Sequence, residues 1–254
     1  MYSSQRITTL IWNPCIRKFL FLPLPRVTLF RHKIFAFGYD SRTDHYKVLR
    51  IVKPVCYEHE VEIWSLARGS WKILSVVVLV FLQTSCLEGL PMIIDNAFVN
   101  GALHWIRQSV IHEDDKLIVS FDLSAELFGK ILLLKAALQR RRRRGVGTDF
   151  CFVSRHGESL AFFEQHEKRR SDGSVYISFF HLWMMKEYGV AESWAKLFTI
   201  RGMLLGDQKF HGWVDPNTKK CSDFGIDGHS SEYRFMDSFV ESLILLDNPN
   251  AISY

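Results

Sequence analysis

An all-β fold, a kelch-like β-propeller or a propeller-like array of four-stranded antiparallel units, is predicted by three features of the 254-residue sequence. Aromatic residues make up 14%, with 20 Phe, 7 Trp and 8 Tyr, which favours sheet over helix. Aromatic pairs recur at a seven-residue offset: Trp12 and Phe19, Trp64 and Trp71, Phe121 and Phe128. The first aromatics of these pairs, continued by Trp183, stand 52, 57 and 62 residues apart, close to the roughly 50-residue period of kelch-type blades.

Each pair sits in an apolar run, a polar turn and a second apolar run, which is a β-hairpin whose aromatics meet across the strands. LIWNPCIRKFLF turns at Asn13-Pro14, and EIWSLARGSWKIL turns near Gly69, which can supply a positive φ. FFHLWMMKEYGVAESWAKLFTI is read as a fourth copy, with Trp183 and Trp194 eleven apart and four extra residues in the turn. A second hairpin fills each gap. Phe35–Val52 turns at residues 40–44, Ala97–Ile106 at Asn100-Gly101, and Cys151–Phe163 at His156-Gly157. Paired in order, these give four-stranded units at about 35–74, 97–134 and 151–200. Half a unit precedes them at 7–22, so the array reads as incomplete at its N-terminal side, with an exposed edge expected there. A further hairpin, Phe210–Ile226, and the strand-like SFVESLILLD follow. The whole of 1–254 reads as one domain. The repeat aromatics Trp64, Trp71, Phe121, Phe128, Trp183 and Trp194 are expected in the core.

The apolar fraction of 48% is ample for a core and excludes a disordered chain. Lys plus Arg is 32 against 27 Asp plus Glu, a formal charge of +5. Five of the cations are Arg140, Arg141, Arg142, Arg143 and Arg144, and without them the count balances at 27 against 27. Ile73–Leu82 is too short to span a bilayer, and MYSSQRITTL has no apolar signal-peptide core. Five scattered cysteines form neither a disulfide framework nor a zinc pair. An intracellular location, cytoplasmic or nuclear, is expected, with no membrane partner.

No nucleophile elbow, zinc-protease motif, Walker loop or dinucleotide fingerprint is present, so no catalytic, cofactor-binding or metal-binding residue is assigned and no enzyme activity is expected. His59 and the Asp114-Asp115 pair read as turn residues, and His104 in ALHWI as a hydrogen-bonded strand residue. The arginine run invites a nuclear-import or nucleic-acid reading. It sits where a connecting loop belongs and no other basic surface supports it, so a solvated loop is the main expectation. The uncharged SVVVLVF at Ser75–Phe81 is an aggregation hazard if exposed and is read as packed beneath the array or as a strand continuation.

Taken in order, these segments resemble the plant F-box-associated interaction domain. WNPCIRKFLFLP resembles the family's WNPsiRKfkkLP, and FGYDSRTDHYKVLRI its FGYDpxTdDYKVvrI. EVEIWSLARGSWKIL, AFVNGALHWI, IVSFDLSAELFGKILL and LWMMKEYGVAESWAKLF are similar to successive further elements, and the match runs from about Leu10 to Asp247. The resemblance implies a protein–protein recognition module that presents a protein substrate to a Skp–cullin (SCF-type) ubiquitin ligase. The F-box pattern itself and the glycine-rich hairpin that usually precedes the WNP element are not found. The chain therefore reads as truncated, and docking to the Skp-type linker is expected only if an F-box lies upstream. Without one it could act as an isolated binding protein or a competitor of an intact homologue. Partner-binding candidates are Arg68 in LARGSW, Lys186 and Tyr188 in the expanded MKEYGVAES turn, and Arg140–Arg144.

Overall fold

The computed structural model describes residues 8–26, 30–54, 60–74, 96–108, 116–133, 150–169, 176–204, 212–214, 221–223 and 242–254. The chain forms two compact units, Met1–Gln83 with Phe235–Tyr254, and Thr84–Arg234. Every sheet is antiparallel, as the hairpin repeats require.

In the first unit, β1 (Leu10–Asn13) and β2 (Lys18–Phe21) pair, and a C-terminal strand, β17 (Ile252–Ser253), adds to β2 in the order β1-β2-β17. The free edge expected beside this hairpin is therefore occupied on its β2 side by the end of the chain. The second sheet is β3 (Phe30–Asp40), β4 (His45–Pro54), β5 (Glu60–Ser65) and β6 (Ser70–Leu74), in chain order. The second unit holds two more four-stranded meanders. One is β7 (Ala97–Val99), β8 (Ala102–Gln108), β9 (Lys116–Asp122) and β10 (Leu127–Leu132). The other is β11 (Phe150–His156), β12 (Ser159–Arg169), β13 (Tyr176–Met185) and β14 (Trp194–Leu204). β15 (Gly212–Val214) and β16 (Cys221–Asp223) form the expected short hairpin. Residues 244–247 of the expected last strand form a turn instead, with Leu245 at φ 76°. Ser75–Phe81, His59 and Asp114-Asp115 lie outside the described residues.

A recurrent turn sets the seven-residue offset. Asn13, Asp40 and Asp122 end their strands and accept, through Oδ1, the N–H two residues on: Cys15 at 3.1 Å, Arg42 at 3.0 Å and Ser124 at 2.8 Å. Four residues after each strand end the backbone turns left-handed, at Arg17 (φ 51°), Asp44 (56°) and Glu126 (56°). Gly69 (φ 64°) holds the same place after Ser65. Glycine takes that conformation without the steric penalty a Cβ brings. The next strand then starts in register, so Trp12 faces Phe19, Trp64 faces Trp71 and Phe121 faces Phe128. Tyr39 and Tyr46 face each other by the same rule in a hairpin not assigned to the aromatic set.

The fourth copy departs from the expected pairing. Trp194 lies opposite Met185, and Trp183 lies opposite Lys196, whose ammonium sits 4.6 Å from the indole centre. Met185 thus takes the place of the first aromatic, and the turn is longer by two residues rather than four. Trp64, Phe121, Trp183 and Trp194 are buried, as expected of core residues. Trp71 and Phe128, on the edge strands β6 and β10, are only half-buried, whereas Trp194 on the edge strand β14 is covered by the core cluster that includes Ile118 and Ile131.

Each unit has its own core. Trp64 and Val48 pack with Ile11, Leu20, Leu22 and Leu245 in the first. In the second, Phe162, Met185 and Trp194 pack with Ile118, Ile131 and Leu133. In both, an edge-strand indole clamps neighbouring sheets. Trp71 Nε1–H donates to Pro23 O just beyond β2 at 2.7 Å, and Trp194 Nε1–H donates to Leu132 O at the end of β10 at 3.1 Å.

Candidate recognition surface

Among the described residues the hairpin turns carry the candidate recognition side chains, and the turn geometry that fixes strand register also fixes where these side chains stand. Arg68 is exposed in the β5–β6 turn, its N–H donating to Ser65 O at 3.2 Å. Arg140, Arg141, Arg142, Arg143 and Arg144 lie outside the described residues. Lys186 and Tyr188 occupy the turn between β13 and β14, at sites far better defined than their polar sequence suggests.

That turn is internally tied. Ser193 Oγ is 3.1 Å from the Glu187 N–H that it accepts and 2.8 Å from both Glu187 O and Val190 O, to which its single proton can be given. Lys186 N–H donates to Ser193 O at 3.2 Å, and Val190 N–H to Glu187 O at 3.1 Å. Gly189 makes the bend at φ 83° while its N–H points at Met185 Sδ, 3.1 Å away. A single 3-10 turn, Ala191–Ser193, leads into β14. Lys186, Glu187 and Glu192 project from this frame to solvent.

Tyr188 anchors the turn to the neighbouring sheet. Its hydroxyl lies 2.7 Å from Nε2 of His104 on β8, and the two rings meet edge-on at 5.6 Å. His104 is fully buried, with Nδ1 3.2 Å from Ala97 O. A carbonyl oxygen only accepts, so Nδ1 carries the proton and Nε2 accepts from the tyrosine O–H. Burial holds the imidazole neutral, with a pKa pulled from 6.5 down to about 4 against the opposing pull of the Ala97 and Ala102 backbone bonds. Burial, and secondarily the Asp122 carboxylate, raises the Tyr188 phenol, so it stays a donor. Forty per cent of Tyr188 is nonetheless exposed, offering an aromatic surface on a fixed mount.

His104 as a hydrogen-bonded strand residue agrees with the sequence reading, but its partner 84 residues away does not follow from it. The inward alternation of ALHWI marked the histidine, whereas nothing local to MKEYG marks the tyrosine as its donor.

Among the described residues, two buried ion pairs tie adjacent strands of the β3–β6 sheet. Asp40 pairs with Lys47 at 2.8 Å, both buried, and also accepts from Thr43 Oγ1 at 2.9 Å. Arg50 pairs with Glu62, which also accepts the Arg26 N–H at 3.0 Å, and the guanidinium lies over the Phe35 ring. Burial lowers the pKa of Arg50, and Glu62 opposes that shift. Among the described residues no group of three or more His, Cys, Asp or Glu is placed to hold a metal ion, and no helix is long and apolar enough to cross a membrane.

Comparison with known proteins adds a lineage to this geometry. The sequence profile of the F-box associated beta propeller domain matches residues 1–244. F-box protein CPR1 of Arabidopsis thaliana is 28% identical over 219 residues, 75% of this chain and 47% of that protein. F-box/WD-40 repeat-containing protein 1 of the same plant is 26% identical over 201 residues, 75% of this chain and 44% of that protein. A putative F-box protein of Arabidopsis thaliana is 30% identical over 123 residues, 46% of this chain and 31% of that protein. The chain spans about half the length of curated relatives such as CPR1.

Proposed function

Since the chain belongs to the F-box associated beta propeller domain family, we propose that it is a protein-recognition module that holds a protein substrate for an SCF-type ubiquitin ligase and has no catalytic role of its own. The observation that carries this reading is the Lys186–Ser193 turn. It is exposed, tied internally through Ser193 and fixed to the next sheet through Tyr188 and His104. A pre-ordered loop loses little entropy on binding, so its few exposed side chains can contribute affinity. Tyr188 supplies the aromatic anchor, and Lys186 and Glu187 the flanking charges; Arg68, exposed on a turn of the other unit, is a separate candidate contact. Docking on a Skp-type linker requires an F-box and lies with any chain that carries one. The place of action is intracellular.

The test compares affinity capture from Arabidopsis extract by the wild-type chain, by Lys186→Ala/Glu187→Ala, and by Lys130→Ala, which alters an exposed residue on β10 outside the turn. A protein captured by the wild type and by Lys130→Ala, and lost with the double variant, supports the assignment. Identical captures from all three chains would show that the turn does not recognise the partner.

A further inference from the structure

Tyr188 sits on one face of the β7–β10 sheet. Leu103, Phe121 and Phe128 fill the opposite face, where the two phenyl rings meet at 4.7 Å. By strand alternation, Ala102 and His104 on β8, Ser120 and Asp122 on β9, and Leu127 and Gly129 on β10 share the face that carries Tyr188. His104 lies opposite Ser120, and Ala102 opposite Asp122. His104 and Asp122 are thus diagonal neighbours, about 7–8 Å apart and within reach of an aromatic side chain. With its hydroxyl 2.7 Å from His104 Nε2, the tyrosine stands beside the Asp122 carboxylate, which, after burial, is the second cause of its raised phenol pKa.

The rim of the sheet is open and negatively charged at this point. Asp122 is exposed, as is its cross-strand partner Leu127, at 66%. Gly129 adds no side chain, and a Cβ there would stand 2.7 Å from Ser120 Oγ. Asp122 Oδ1 accepts the N–H groups of Ser124 and Ala125, at 2.8 and 2.7 Å, whereas Oδ2 has no partner among the described residues. Glu187 and Glu192 add two exposed carboxylates from the β13–β14 turn, against the single ammonium of Lys186. Among the described residues no cation pairs with Asp122 and none lies over the Tyr188 ring. An open carboxylate oxygen beside a fixed aromatic ring suits a planar cation, which the ring attracts through its quadrupole and the oxygen through a charged hydrogen bond.

We propose that Asp122, Leu127 and Tyr188 form a subsite for an arginine side chain of the protein held at the Lys186–Ser193 turn. The guanidinium stacks on the exposed part of the Tyr188 ring and donates to Asp122 Oδ2, while its methylene stem lies along Leu127. Arginine suits the site better than lysine, because its flat, weakly hydrated head stacks and donates at the same time. The bond to His104 sets the ring in place before the partner arrives, so little ordering is left to binding. This assignment rests on the reading of that turn as the recognition surface and adds the chemistry of one contacted residue.

The probe is N-acetyl-arginine amide, titrated into the isotope-labelled full chain and followed by the amide resonances in NMR. N-acetyl-citrulline amide keeps the shape without the charge, and N-acetyl-lysine amide keeps the charge without the planar head. The arginine probe should shift the Tyr188, Gly189 and Ser124 amides saturably in the millimolar range, the lysine probe more weakly, and the citrulline probe not at all. Shifts that are absent, that lie elsewhere, or that are equal for lysine or citrulline would overturn the subsite without any substitution. Asp122→Asn keeps an Oδ1 for the turn, as Asn13 does in its own hairpin, and should weaken the arginine probe about threefold, the effect of losing one exposed ion pair. Undiminished binding by that variant would also refute the proposal. The two readings fail separately. A silent arginine titration, with protein capture still dependent on Lys186 and Glu187, sinks the subsite alone. An arginine shift at Tyr188, with capture indifferent to Lys186→Ala/Glu187→Ala, sinks the turn as the recognition surface.

Discussion

Replacing Tyr188 by Phe removes one hydroxyl while keeping the ring against His104, so it isolates a single hydrogen bond. His104 is 0% exposed, and its Nε2 then becomes a buried acceptor without a donor. That costs about 1–3 kcal/mol. The same imidazole sets a pH dependence whose sign follows from its depressed pKa. The unfolded chain takes up a proton below pH 6.5, whereas the folded one does so only near 4, so between those values the unfolded state binds more protons and stability falls as pH falls. The full span is worth about 3 kcal/mol, and about 2 kcal/mol of it is lost between pH 7 and pH 5. Urea unfolding followed by tryptophan fluorescence at the two pH values reads both effects, with His104→Asn as a reference that does not titrate. The wild-type chain should lose stability on acidification by about 2 kcal/mol more than that reference. Tyr188→Phe should be weaker at pH 7 and shallower in its pH dependence, because the neutral ring no longer gains a donor. A Tyr188→Phe cost below about 0.5 kcal/mol, together with parallel pH curves for wild type and His104→Asn, would refute the anchored-turn argument.

Trp64 is buried with no partner for its Nε1–H, so Trp64→Phe should change stability by less than about 1 kcal/mol while Trp64→Ala costs about 3–5 kcal/mol; thermal unfolding of the two variants separates these outcomes. Trp194→Phe keeps most of the ring packing and loses the bond to Leu132 O, an expected cost of about 0.5–1.5 kcal/mol in urea titration plus any loss from reduced packing. Lys47→Met strands the buried Asp40 carboxylate and should cost about 3–5 kcal/mol at pH 7, with part of the loss recovered in Asp40→Asn/Lys47→Met, as a double-mutant cycle will show.

These perturbations meet in one structural device used in different chemical forms. Asn13 turns its hairpin and reaches the C-terminal segment, Asp40 turns its hairpin and neutralises Lys47, and Asp122 turns its hairpin beside the mount of Tyr188. The side chain that shapes each turn thus also serves long-range packing or the local field. Substitutions there should affect more than local turn preference.

The sequence by itself determined the all-β class, the hairpin order and the register of Trp12 with Phe19, Trp64 with Trp71 and Phe121 with Phe128. Those are local matters: strand period, turn residues and a left-handed position four residues past the strand end leave one pairing. The same local signal misassigned Trp183, because an expanded turn can be closed at more than one offset, and the contact of Met185 with Trp194 depends on packing against Ile118 and Ile131. It also placed Trp71 and Phe128 too deep, since how far an edge-strand side chain is covered depends on what packs against it, and the edge-strand Trp194 is buried. The anchored turn and the C-terminal pairing were out of reach for a related reason. A hydrogen bond between residues 84 positions apart, or between Trp12 and Tyr254 at 242, exists only once the sheets are packed and carries no periodicity of its own. Tertiary structure therefore decided which loop is tied to a neighbouring sheet and which strand the C-terminal segment joins, because both depend on partners that the chain supplies from a distance.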